Sequence, residues 1–371
     1  MTVNFLFRNK YFGIIATLTL ASFGVLSRIL DRNENGNWVF WQKAYLPDGY
    51  NYIIQAIRLS HSEYKFEFLD RVREFFPGAP QDMMKLSEAV QSTLDARPIY
   101  PYLTSLLLDL NFEVAPLVFP LLCWILLNVF VYLNTRRNHG ALYALLVVVM
   151  LSGSFYMRLN FIGTTTDALA AFFCYSAFYF LLARNLNHRA TFAAYFFVIL
   201  AIFSRPLDPI FIVAVIGLIL FGSNKILVFR KLALLVFVLV AHLVYIQLNF
   251  GQLQTGSINT GGDQSGGLFH FLIVALFEMP KIILVEFGFI IVHDSLLFML
   301  VLWSILVLVR DRNKVLITQF VLIFLSTFYL SALNGTIGSG FRYQLPIVMF
   351  CLVIISKGRS VIPARIEKFR S

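Results

Sequence analysis

Apolar residues in this chain come in long unbroken runs separated by short polar gaps. YFGIIATLTLASFGVL (Tyr11 to Leu26), LALLVFVLVAHLVYIQL (Leu232 to Leu248) and VLITQFVLIFLSTFYLSAL (Val315 to Leu333) each approach the roughly 20 residues a helix needs to cross about 30 Å of hydrocarbon. They lack the alternation of outer-membrane strands, so helices do the crossing. Further runs lie near Phe112 to Leu133, Ala141 to Phe155, Asp167 to Ala183, Thr191 to Phe203, Pro209 to Phe221, Ile291 to Val309 and Tyr343 to Ser356. The pattern predicts an all-α polytopic membrane protein, one domain over residues 1–371 with about ten transmembrane helices. Residues 268–289 read two ways. Glu278, Pro280, Lys281 and Glu286 interrupt the run, which suits either a span or a re-entrant pair of short helices. The glycine-rich stretch Gly251 to Gly267 has the composition of a flexible linker, and no internal repeat is evident by inspection.

The largest polar gap, residues 28–97, is expected to be a first extracytoplasmic loop. In it Ile53, Ile57, Tyr64, Phe68, Val72 and Phe75 recur at helical spacing, with Arg58, Glu63, Glu67, Asp70, Arg71 and Glu74 opposite. This predicts an amphipathic helix, packed on its own loop or lying on the outer leaflet, and broken by FFPGAPQ (Phe75 to Gln81).

Composition excludes a soluble fold. Of 371 residues, 58% are hydrophobic and 13% charged, with a mean hydropathy of +0.75, more apolar surface than one soluble core hides. The net charge of +10 does not point to nucleic acid, because the basic residues form short clusters between apolar runs. Arg8 with Lys10, Arg136 with Arg137, Arg184 with Arg189, Lys225 with Arg230 and Lys231, Arg310 with Arg312 and Lys314, and a basic tail over 357–371 fall at alternate gaps. The positive-inside rule then puts both termini in the cytoplasm. The first run is long for a signal-peptide core and reads as a retained anchor. Cys123, Cys174 and Cys351 sit inside apolar runs as small buried hydrophobes. The membrane expected is a bacterial inner membrane rather than the endoplasmic reticulum.

The gaps assigned to the outside hold the candidate chemistry. Arg158 and Asp167 flank one, Arg205 and Asp208 flank SRPLDP, Arg342 closes another, and His270, Glu278, Glu286, His293 and Asp294 come from the region of the ambiguous segment. Ionisable groups at such positions are costly unless paired or facing a cavity. Local pairing would join Arg205 to Asp208 and Arg158 to Asp167, with Arg342 reaching for headgroups. The other reading is that the three arginines hold an anionic ligand, since guanidinium binds phosphate oxygens bidentately. Asp48, in the Pro47-Asp48-Gly49 turn, either caps the helix behind it or serves as a base that takes a proton from an acceptor hydroxyl. One base opposite fixed positive charge suits single displacement of a lipid phosphate from a sugar carbon, without a second carboxylate as nucleophile.

Several short motifs carry a resemblance: Asp48, Gly49, Tyr52 and Ala56 in the first loop, ARPIYPYL (Ala96 to Leu103), GTTTDALAAFF (Gly163 to Phe173), SRP (Ser204 to Pro206) and FRYQLPIVMF (Phe341 to Phe350). In layout and motifs the chain resembles the GT-C class of polytopic glycosyltransferases. The resemblance implies a polyprenyl-phosphate-linked sugar donor, a glycan, lipid or protein acceptor and action on the extracytoplasmic side. It implies Asp48 as catalytic acid of the first loop and Arg342 with Tyr343 at the donor phosphate; from the charges at the outer gaps, Arg205 and Arg158 are expected to join them, with Arg97, Asp167 and Tyr52 in support. The chain departs from many members in being short, in lacking a soluble C-terminal domain and in having no acid pair in the first loop.

No cofactor is implied by spacing. His293 and Asp294 are adjacent, the other histidines are scattered, and no P-loop or GxGxxG occurs; a divalent metal stays open. The rival to a transferase is a carrier or flippase for an anionic lipid or lipid-linked solute, which would use the arginines to bind and need no base.

Overall fold

The computed structural model describes residues 10–32, 38–40, 49–60, 64, 67, 70–72, 97–182, 188–205, 207–220, 229–240, 267–333 and 344–358. Helices dominate: α1 (Lys10–Ile29), α2 (Gly49–Leu59), α3 (Ile99–Ser105), α4 (Ala115–His139), α5 (Ala141–Gly153), α6 (Phe155–Phe161), α7 (Asp167–Leu181), α8 (His188–Ser204), α9 (Asp208–Leu220), α10 (229–240), α11 (Gly267–His293), α12 (Ser295–Asp311), α13 (Lys314–Leu333) and α14 (Leu345–Lys357). Between α1 and α2 a short antiparallel ribbon pairs β1 (Leu30–Arg32) with β2 (Trp38–Phe40), Asp31 opposite Val39. The apolar runs did not announce this ribbon.

Among the described residues two helices, Ala115–His139 and Lys314–Ala332, are long and apolar enough to cross a membrane, and the number rises to four if each of two bent pairs is one span. The bent pairs are α5 with α6, at 65°, and Ile273–His293 with α12, at 119°. Residues 268–289 therefore lie within one continuous helix that runs through Pro280, and the break comes later, at Asp294. Its charges are accommodated separately. Glu278 and Lys281 pair at 3.3 Å on an exposed face, while Glu286 is fully buried.

The centre of the bundle is α14, buried at every position from Leu345 to Ser356. It packs against α4, α7, α12 and α13, so a helix apolar all round is the expected solution. Toward its C-terminal end a polar network ties three helices: Thr135 and Ser356 hydroxyls lie 2.9 Å apart, Asn138 donates to the Ser356 carbonyl at 2.7 Å, and Asn134 donates to the Tyr175 hydroxyl at 3.1 Å. The first helix docks through small residues. Thr17 and Ala21 are fully buried, the Trp124 indole donates to the Ala21 carbonyl at 3.3 Å, and Gly13 meets Tyr132. Gly140, with φ of 90°, lets α4 give way to α5 after one residue, a conformation that suits glycine.

The amphipathic helix of the first loop is shorter than its periodicity predicts. It runs from Gly49 to Leu59, and Tyr64, assigned to its apolar face, is 60% exposed. Ile53, Ile54, Ala56 and Ile57 are buried in a cluster with Val72, Leu108, Phe112, Ala115 and Leu117. Its apolar face is thus covered by the chain itself.

One carboxylate joins the two bent pairs. Asp294 Oδ1 accepts from the Leu297 amide at 3.0 Å, capping α12, while Oδ2 accepts from the Ser154 hydroxyl at 2.6 Å and the Tyr156 amide at 2.9 Å. Ser154 in turn caps α6 by accepting from Met157 at 3.1 Å. Asp294→Ala strands three buried donors, and the expected cost is on the order of 3 kcal/mol or more. Thermal unfolding of the detergent-solubilised protein checks this, and an unchanged midpoint would show that these bonds hold nothing.

Candidate functional site

The region around the start of α7 collects the motifs that the sequence scatters. Helices α7 and α8 are consecutive, and the first residue of one meets the residue after the end of the other. Arg205 Nη1 donates to Asp167 Oδ1 in an ion pair whose side chains are 6% and 1% exposed. Each partner also suits its helix end, a carboxylate at the positive N-terminus of α7 and a guanidinium at the negative C-terminus of α8. Burying either charge alone would cost several kcal/mol, so the pairing is what makes both positions tolerable.

The buried stretch 162–166 leads into Asp167. Thr165 Oγ1 donates to the Asn160 carbonyl at 3.2 Å and accepts from the Asp167 amide at 3.5 Å. Thr164 is fully buried, and the first residue of α2 rests on it. A Cβ added at Gly49 would stand 2.7 Å from Thr164 Cβ and 2.9 Å from its carbonyl oxygen, and would overlap its hydroxyl. Only a residue without a side chain permits this approach. Three residues further along α2, the Tyr52 hydroxyl accepts from Arg97 Nη1, and the Tyr52 ring meets Tyr100 edge-on at 5.5 Å.

Several sequence expectations can now be placed. Tyr52 and Arg97 come together, and so do Arg205 and Asp167. Of the two local pairings, that of Arg158 with Asp167 is not formed. Arg205 reaches 38 residues back to Asp167, whereas Arg158 turns away from Asp167, donating to Ser27 Oγ at 2.9 Å and to the Ser154 and Gly153 carbonyls at 3.4 Å each. It thereby braces α6 against α1, packing its side chain over Gly24. Asp48, Arg342 and Tyr343 lie outside the described residues, as does the side chain of Asp208. Cys123, Cys174 and Cys351 are free and buried. Among the described residues, no group of three His, Cys, Asp or Glu side chains is arranged to hold a metal ion.

Both residues stand in the motifs quoted above, but the contact between them, with Thr164 as the seat of Gly49, was not foreseen. A run of hydroxyl residues ending in an acid at a helix start, Gly163 to Asp167, was the available signal. No family model matches this chain, and neither the curated proteins nor the solved structures contain a match to it.

Proposed function

We propose that the chain is a polytopic inner-membrane glycosyltransferase. It crosses the bilayer about ten times with both termini in the cytoplasm, and moves a sugar from a polyprenyl-phosphate donor to an acceptor hydroxyl on the extracytoplasmic side. Asp48 is the general base of an inverting single displacement. Arg342, with Tyr343, takes up the charge that develops on the departing lipid phosphate.

The observation that carries this reading is the seat of Gly49 on Thr164. It sets the residue that follows Asp48 in the chain against the stretch that ends in the Asp167 and Arg205 pair. The Arg205 guanidinium already pairs with Asp167, and that of Arg158 donates to Ser27 and to two carbonyls, which supports giving both positioning roles and leaving the phosphate to Arg342.

Gly49→Ala tests the arrangement. Overlap with a fully buried threonine pushes the start of α2 away, at about 1–3 kcal/mol, and transfer of labelled sugar from a polyprenyl-phosphate donor should fall more than tenfold while the protein still inserts. Adding Thr164→Gly removes the side-chain overlap and should restore part of the rate. Parental activity in Gly49→Ala would detach catalysis from this contact.

A further inference from the structure

The segment leading into α4 has two faces with one repeat. Tyr100, Thr104, Leu108 and Phe112 are 0–3% exposed and face the protein, while Tyr102, Leu106 and Leu110 are 57%, 59% and 80% exposed. Both sets recur every four residues, as one side and the other of a helical path through α3 and the turns after it. No other large hydrophobic among the described residues is as exposed as Leu110.

What covers this stripe follows from its tether. The span Ala115–His139 has 25 residues, about 37 Å of helix against about 30 Å of hydrocarbon, so its first turn stands at a membrane surface. Leu110 precedes Ala115 by five residues, a reach of at most about 18 Å. Asp109, Asn111 and Glu113 are exposed within the same stretch, which limits how deep it can sit. Apolar side chains and a tyrosine beside exposed acids suit the headgroup layer rather than the hydrocarbon.

We propose that Tyr102, Leu106 and Leu110 form an anchoring surface for the lipid leaflet next to the start of α4. The inference rests on the membrane insertion of α4. Because α2 packs on α3, and its Ile53, Ile54 and Ile57 share a cluster with Leu108 and Phe112, the anchor sets the height of Gly49 above the bilayer. A donor whose phosphate rides at the headgroup level would then meet the first residue of α2 without leaving the membrane.

The test uses the full chain in liposomes of phosphatidylcholine and phosphatidylglycerol, with Leu106→Cys or Leu110→Cys carrying an environment-sensitive fluorophore. The native cysteines are buried and stay unlabelled. Lipids bearing a nitroxide near the headgroup should quench both positions severalfold more than they quench a label at Glu113→Cys, and iodide should do the reverse. Iodide quenching at Leu106 and Leu110 as strong as at Glu113 would overturn the anchor, as would cross-linking of these cysteines between copies, which would make the stripe a protein interface. Alkaline carbonate extraction of the same samples separates the two levels of the argument. Protein retained in the membrane with an iodide-accessible stripe refutes the anchor alone, and protein released by carbonate refutes the insertion reading with it.

Discussion

Asp48→Asn should lower sugar transfer by roughly 10²- to 10⁴-fold, the range that a positioned general base contributes, with expression and insertion unchanged. Asparagine keeps the size of the side chain and its capacity to accept from a backbone amide, so a helix-capping role would survive the change with a loss of a few tenths to about 1 kcal/mol. The two roles of this residue therefore separate on one variant. Lost transfer in a normally folded protein assigns the carboxylate to proton removal, and retained transfer reduces it to a cap. Donor binding, measured by titrating the polyprenyl-phosphate sugar, should be little affected, because the acid acts on the acceptor.

The second large effect concerns the buried pair of Arg205 and Asp167. Arg205→Met removes a counter-charge from the Asp167 carboxylate, 1% exposed, and Asp167→Leu removes one from the guanidinium. Each should destabilise the detergent-solubilised protein by about 3–5 kcal/mol. The double variant removes both charges, and apolar replacements of a buried ion pair are often neutral, so most of that loss should be recovered. Activity then tells what Arg205 does. As a positioning residue that holds the ends of α7 and α8, it should leave the double variant within about tenfold of the parent. A double variant that folds but does not transfer would put Arg205 on the donor phosphate itself.

How far the sequence could be read differs between these features for physical reasons. Helix positions were legible because unbroken apolar runs and the residues that end them are local: the run predicted from Asp167 begins at Asp167, and the one near Val315 begins one residue earlier. The end of α2 was not, since Ile53, Ile57 and Val72 share one buried cluster although α2 stops at Leu59. Periodicity cannot distinguish a continuous helix from two segments returning to one core. The ion pair was illegible for a related reason. Asp167 lies 38 residues from Arg205, and only the closure of α7 on α8 brings that distant acid within reach. Asp294 appeared as one charge in an ambiguous segment, and its function as a double cap depends on Ser154, 140 residues earlier. The Tyr52 and Arg97 contact was not anticipated: motifs singled out each residue separately, and neither carries a local signal for the other.

The central claim is that this chain breaks the bond between sugar and lipid phosphate rather than moving the intact molecule. Sealed proteoliposomes loaded with a polyprenyl-phosphate hexose, labelled in the sugar, decide this when the fate of label and lipid is followed with membrane acceptor material present on the extracytoplasmic face. The account predicts that label leaves the lipid fraction, that polyprenyl phosphate is released in equal amount, and that both stop in Asp48→Asn. Labelled donor crossing the bilayer intact, at a rate indifferent to Asp48→Asn, would contradict it.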